Sequence, residues 1–259
     1  MNNRLLFLGT GASAGVPLIG CECPVCLSES PYNKRLRPSV LLKIDDKRFL
    51  IDAGPDFRTQ ALHYKINRLD GVLFTHSHHD HTAGIDELRL YYYLSKKPLP
   101  ILLSQETAED IQRRFYYIFN HDPVYINLVP KLDLHLLPDS QGQLIFEGIQ
   151  VSYVTYEQGG MKVNGFRIGD LAYLSDIRTF PSTIFENLKG VKTLIISALR
   201  HESTALHFSI GEAVDFINRV GAERAWLTHM SHDLEHMETN SILPSYIQLA
   251  YDGLEIDFG

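Results

Sequence analysis

Thr75-His76-Ser77-His78-His79-Asp80-His81 places four histidines and an aspartate in six consecutive positions, directly after the apolar run Gly71–Phe74. So many ionisable groups make a costly core, and the segment reads as a place where imidazole and carboxylate meet a cation. In an extended turn residues two apart point the same way, so His76 and His78 converge on one ion. Asp80 and His81 then face a second, and His79 is expected to point away from both. This mixture of donors suits Zn²⁺, Mn²⁺ or Fe²⁺ and is common where the ion keeps an open coordination position. All three cysteines lie in a second cluster, Cys21, Cys23 and Cys26, whose odd number and spacing suit a metal better than a disulfide framework.

The elements that must position these groups can be read around them. Arg4–Leu8 is expected to be a buried strand ending at Gly9-Thr10-Gly11. The G-x-G-x-x-x-G spacing followed by Pro17 does not open the helix a dinucleotide fingerprint requires. Val40–Ile44 and Arg48–Ile51 read as a hairpin around Asp45-Asp46, Gly71–Phe74 as a buried strand, Gly84–Leu94 as helical and Pro98–Leu103 as a strand. Glu106–Phe119 reads as one helix capped by Ser104. Short β-like runs fill Tyr125–Tyr173, and Leu194–Ser197, Ala225–Thr228 and Leu254–Phe258 follow as strands. Ser209–Val220 is an amphipathic helix whose apolar face is Ile210, Ala213, Val214 and Ile217. Strand-rich halves, each ending in helices, predict an α/β fold of layered sheets with helices outside. No repeat or linker interrupts the chain, so one domain over residues 1–259 is expected.

Composition narrows the function. The chain has 259 residues, 44% hydrophobic, with 24 Lys+Arg against 31 Asp+Glu and a formal charge of −7. No apolar run reaches the roughly 18 residues of a membrane span, and the N-terminal apolar stretch is too short for a signal peptide. A cytoplasmic protein is expected. The negative balance argues against a general nucleic-acid binder and leaves room for a small anionic substrate.

His-x-His-x-Asp-His behind a strand resembles the signature of the metallo-β-lactamase superfamily of dinuclear metallohydrolases. Matching segments follow in the family's order: Leu50-Ile51-Asp52-Ala53-Gly54, then Tyr173-Leu174-Ser175-Asp176, then Leu227-Thr228-His229. The resemblance implies an αββα sandwich with the site along the edge where the two sheets meet. It also implies two divalent cations (Zn or Mn, with Fe as a further candidate) bridged by Asp176. His76 and His78 would hold the first, Asp80, His81 and His229 the second, and Asp52 would order the metal loop from behind.

Gly9-Thr10-Gly11, Gly15-Val16-Pro17, the cysteine cluster, Arg35-Leu36-Arg37-Pro38-Ser39 and Gly84-Ile85-Asp86-Glu87-Leu88-Arg89 are similar to one branch, which contains the phosphoribosyl cyclic phosphodiesterase of phosphonate breakdown. In that branch three cysteines and a histidine close a structural zinc site, and the matching histidine here is His232. Three thiolates independently need a fourth ligand for a closed tetrahedral site. In the phosphodiesterase branches a histidine in the region of His207 protonates the leaving alkoxide. One position departs from the pattern: the usual histidine before a Gly-Phe strand aligns with Gln158. Three arrangements stay open, with Gln158 as a weak ligand, Glu157 in its place, or the first cation held by His76, His78 and Asp176 alone.

The resemblance implies a metal-dependent hydrolase, foremost a phosphodiesterase acting on a small cyclic or nucleotide-like phosphodiester through a hydroxide shared by two cations. Asp80, Asp176 and His207 would be its catalytic groups. An acyl hydrolase of lactams or thioesters, a tRNA-processing nuclease related by fold and a non-catalytic accessory protein are the alternatives; the charge of −7 and the lack of a long basic arm speak against the nuclease, and Gln158 speaks for the accessory protein. His63, His121, His135, His201 and His236 are expected at the surface. Arg35, Arg37 and Arg58 could meet a phosphate or solvent, and relatives of this kind suggest a homodimer.

Overall fold

The computed structural model describes residues 3–120 and 128–259; His121 and the start of the β-rich stretch at Tyr125 lie outside the described residues. In chain order the first half contains β1 (Asn3–Gly9), α1 (Pro24–Leu27), β2 (Ser39–Ile44), β3 (Lys47–Ile51), α2 (Phe57–His63), β4 (Gly71–Leu73), α3 (His79–Thr82), α4 (Arg89–Ser95), β5 (Leu99–Leu103), α5 (Gln105–Arg114), α6 (Tyr116–Phe119) and β6 (Leu132–Leu136). The second contains β7 (Gln141–Phe146), β8 (Ile149–Gln158), β9 (Met161–Ile168), β10 (Leu171–Leu174), α7 (Ile184–Asn187), β11 (Thr193–Ser197), α8 (Ile210–Val220), β12 (Arg224–Thr228), α9 (His236–Ile242), β13 (Ile247–Leu249) and β14 (Glu255–Phe258).

These strands form two seven-stranded sheets, ordered β14-β1-β2-β3-β4-β5-β6 and β13-β12-β11-β10-β9-β8-β7. Both faces of the central strands are covered, which is why they read as continuous apolar runs rather than alternating ones. Along β1, Leu5 and Phe7 join the core between the sheets with Val151, Phe166, Tyr173 and Ile195, while Leu6 and Leu8 face Phe57, Leu88 and Tyr91 on the outer side. Leu174, Leu194 and Ile196 face α8 through Ile210, Ala213, Phe216 and Ile217. This is the αββα sandwich the sequence implies.

Two expectations need correction. The single helix over Glu106–Phe119 is two, because the chain leaves helical geometry at Phe115 (φ −111°, ψ 42°); Ser104 does cap the first, accepting the Thr107 N–H at 3.3 Å. On α8 the buried face includes Phe216, while Val214 is only partly buried. Ser209 and Glu212 close a capping box at its start. No helix among the described residues is long and apolar enough to cross a membrane.

Strand direction decides where the chemistry gathers. β3, β4 and β5 run parallel in the first sheet, and β10, β11, β12 and β13 in the second. β8 is antiparallel to β9, and β9 to β10, so β8 also points the way β10 does. The carboxyl ends of β3, β4, β8, β10 and β12 therefore open onto one crevice, the usual position for a site in such sheets.

Candidate metal centre and active site

Each predicted ligand leaves one of those strand ends. Asp52, Asp176 and His229 adopt left-handed backbone angles, with φ of 63°, 52° and 59°. Non-glycine residues rarely do so, and such strain persists where surrounding structure over-determines it. Each turns sharply off its strand into the crevice. The metal loop is pressed against the β3 turn by close backbone approach: a Cβ on Gly54 would lie 2.1 Å from the Asp80 carbonyl oxygen. Ala53 N–H donates to His81 O at 2.8 Å, and Gly84 N–H to Ala53 O at 2.8 Å.

His76 Nε2 and His78 Nδ1 converge to 2.9 Å. Asp176 Oδ2 lies 2.8 Å from His81 Nε2 and 3.8 Å from His76 Nε2, while its Oδ1 lies 3.2 Å from His229 Nε2. Asp80 Oδ2 is 3.3 Å from both His81 Nε2 and His229 Nε2. His76, Asp80, His81, Asp176 and His229 are all buried. Asp52 sits behind them, its Oδ1 accepting the Thr75 N–H at 2.8 Å and its Oδ2 facing Thr75 Oγ1 at 2.8 Å and His81 Nδ1 at 2.7 Å. A carboxylate on the far nitrogen fixes an imidazole's tautomer and aims the other nitrogen forward.

The donor set fits divalent cations. His81 Nε2 lies close to two carboxylates yet makes no hydrogen bond of acceptable geometry, as expected of lone pairs aimed at a common point. Burial opposes charge on every group, but the carboxylates Asp80, Asp52 and Asp176 raise the His81 pKa well above its usual value. Against its own burial, Asp176 is held well below the carboxylate range by His229 and His81. Burial, then the charge of His81, drives His76 well below its usual value.

The cysteine cluster closes as well. Sγ of Cys21, Cys23 and Cys26 lie 3.3, 3.4 and 3.7 Å from His232 Nδ1. A tetrahedral zinc with Zn–S of about 2.3 Å and Zn–N of about 2.0 Å separates sulfur from nitrogen by about 3.5 Å. The Cys26 N–H donates to Cys23 Sγ and, despite burial, this bond and His232 bring the Cys23 thiol down to about 6; burial pushes Cys26 up to about 11.

Other predicted residues divide. Gln158 is buried at the end of β8 and reaches Asp176 Oδ1 at 3.1 Å, whereas Glu157 is exposed and pairs through its backbone with Thr179, so it is not brought to the site. His207 stands at the lip, Nδ1 3.0 Å from Asp176 Oδ1. His79 is exposed and points away from the donors; with Arg37, Ser13 and Ile19 it lines an open cleft of about 680 Å³. His63, His135 and His201 are exposed. His236 is not: it is buried, stacked 4.8 Å from Tyr32, because the N-terminal loop covers it.

Arg35 is likewise buried, at 2% exposure, and donates to Ser231 O and Leu234 O at 2.8 and 2.7 Å. It therefore meets neither phosphate nor solvent but ties the N-terminal loop to the segment carrying His232. Arg58 is exposed. Sequence reasoning missed Ser77, whose hydroxyl donates to Asp110 Oδ2 at 2.6 Å and anchors the metal loop on α5.

Comparison with known proteins agrees with this architecture. The family profile described as "Beta-lactamase superfamily domain" matches residues 47–230. A solved diphosphatase from the PhnP family is 36% identical, with a TM-score of 0.92, covering 100% of this chain and 98% of that one. A protein from Porphyromonas gingivalis named octanoyltransferase is 37% identical over 255 residues, covering 97% of this chain; the chain spans 51% of that protein's length. Zinc-bound PqqB from Methylobacterium extorquens, at 17% identity and a TM-score of 0.77, shares the fold. From the strand-end cluster to the profile match over most of its length, this chain belongs to the metallo-β-lactamase superfamily of metal-dependent hydrolases.

Proposed function

We propose that the protein is a phosphodiesterase acting on a small cyclic or nucleotide-like phosphodiester or diphosphate. The observation that carries this reading is His207, whose Nδ1 lies 3.0 Å from Asp176 Oδ1 at the lip of the carboxylate–imidazole cluster, with 13% of its side chain exposed. Support comes from the similarity, over nearly the whole of both chains, to a PhnP-family diphosphatase.

Two divalent cations among these donors would supply positive charge for the phosphoryl oxygens and acidify an attacking water. Asp176 would lie between the two positions, with His76 and His78 on one side and Asp80, His81 and His229 on the other. Asp52 keeps the His81 ring oriented. His207 delivers a proton to the departing oxygen as the P–O bond breaks, an effect commonly worth about 10²–10⁴ in rate. Cys21, Cys23, Cys26 and His232 would hold a structural zinc that fixes the loop forming one wall of the cleft. Arg37 lines that cleft beside His79, its guanidinium paired with Asp56 at 3.0 Å.

The test is turnover of a bis-aryl phosphate, a 2′,3′-cyclic nucleotide, a dinucleoside diphosphate and a thioester, with Zn²⁺ or Mn²⁺ supplied. Phosphodiester or diphosphate turnover that falls about 10²–10⁴-fold in His207→Ala, at unchanged metal content, is the expected result. Parental rates in the variant would remove His207 from the mechanism. Turnover of the thioester alone would favour acyl chemistry, which the name of the P. gingivalis relative brings into consideration.

A further inference from the structure

Gln158 is 4% exposed, and its two amide atoms have different surroundings. Nε2 lies 3.1 Å from Asp176 Oδ1 and 3.0 and 3.2 Å from Nε2 and Nδ1 of His207. Oε1 is buried with no hydrogen-bond partner among the described residues. An amide nitrogen only donates and an amide oxygen only accepts. A buried carbonyl oxygen left without a donor is unfavourable unless something positive takes it.

Resting on the metal-centre reading above, we propose that Gln158 is double-ended: its Oε1 completes the cation position of His76, His78 and Asp176, while its NH₂ donates to Asp176 Oδ1, the oxygen that His207 Nδ1 also faces, and so fixes the carboxylate on which His207 rests. It is thus a weak metal ligand and a positioning residue at once. The amide oxygen is neutral and a poorer donor to a borderline cation than imidazole. The other position groups Asp80, His81 and His229, with Asp176 2.8 Å from His81 Nε2 and 3.2 Å from His229 Nε2, two carboxylates and two imidazoles. The two positions are therefore unequal, and the first exchanges its ion with the surroundings while the second retains it. Free divalent cation then sets how much of the protein is complete, and the residue that senses the first ion is the one that fixes the Asp176 oxygen against which His207 is oriented.

Neither obvious replacement performs both tasks. A carboxylate at 158 would bind the cation more strongly but has no N–H for Asp176 Oδ1. An imidazole would bind strongly through one nitrogen and carry its N–H on the far side of the ring.

The experiment uses the full chain, stripped by a chelator and given one equivalent of Zn²⁺ for the thiolate site. It is then titrated with Mn²⁺ while the free ion is followed by electron paramagnetic resonance. Two classes of site differing by about tenfold or more are expected, with Gln158→Ala weakening the looser class by a further ~10–100-fold. Gln158→Glu, equal in size, should tighten the looser class yet lower kcat at saturating Mn²⁺ with KM little changed. Gln158→His should tighten it too, so the inference remains testable if the Glu variant does not fold.

Two equal sites in the parent, or a looser class indifferent to residue 158, would overturn the ligand role. Parental kcat in Gln158→Glu at saturating Mn²⁺ would overturn the positioning role. The isotherms need no substrate: the expected binding in a protein that hydrolyses no phosphodiester would sink the proposed function and the positioning role with it, not the ligand role. Equal sites in an active protein would do the reverse.

Discussion

At the scale of single residues, the site depends on groups that touch no substrate. Asp52 accepts from Thr75 twice and faces His81 Nδ1 from behind, entirely buried. Asp52→Asn keeps the shape but sets an amide where a carboxylate faced the ring. We expect cation affinity at the His81 position to fall about 10–100-fold, measured as Mn²⁺ retained after dialysis; an unchanged content would refute this role. The histidines and aspartates were legible from the sequence because their chemistry is visible in residue type and in spacing after a strand. His236 and Arg35 were not, because burial there is imposed by partners some 200 positions away: Tyr32 against His236, Ser231 and Leu234 against Arg35. Nor does sequence spacing announce that Asp52, Asp176 and His229 bend into left-handed geometry.

At the scale of elements, the strands were readable as apolar runs, while α2, α9 and β13, of seven, seven and three residues, were not. Short pieces carry too little periodicity to stand out from loops. Most of the N-terminal loop has no regular structure at all. It is held instead by the Cys21-Cys23-Cys26-His232 cluster, by Arg35, and by Asp252, which accepts from Thr10 Oγ1 and Leu36 N–H at 2.7 Å each. Cys23→Ser should therefore lower zinc content by one equivalent and reduce the unfolding midpoint, with Mn²⁺ binding at the histidine–aspartate cluster intact. Elemental analysis with thermal unfolding reads both, and an unchanged zinc stoichiometry would count against a metal there.

At the scale of the whole molecule, the donors come from both sheets: His76, His78, Asp80 and His81 follow β4, whereas Gln158 ends β8 and Asp176 and His229 follow β10 and β12. Cations between them would clamp one sheet to the other. An ion present at about 100 times its Kd adds about 2.7 kcal/mol to stability. In a chain of this size that corresponds to a Tm shift of about 5–10 °C, so a chelator should lower Tm by that amount and Mn²⁺ restore it; a Tm indifferent to chelation would mean the sheets are not joined this way. The sandwich itself was anticipated through the order of the motifs, since composition alone reaches no further than layered sheets.

The pairing of β1 with β14 has a consequence for how the fold can be extended. Asn3 lies opposite Phe258 in antiparallel register, and β1 points the same way as β3 and β4, whose carboxyl ends carry the donors. The outer ends of these two strands, at Asn3 and Phe258, therefore lie side by side at the pole opposite the crevice. A tether or a second folded unit grafted at either extremity would leave the reactive mouth unobstructed, and a short bridge joining the two would allow the chain to be reopened elsewhere.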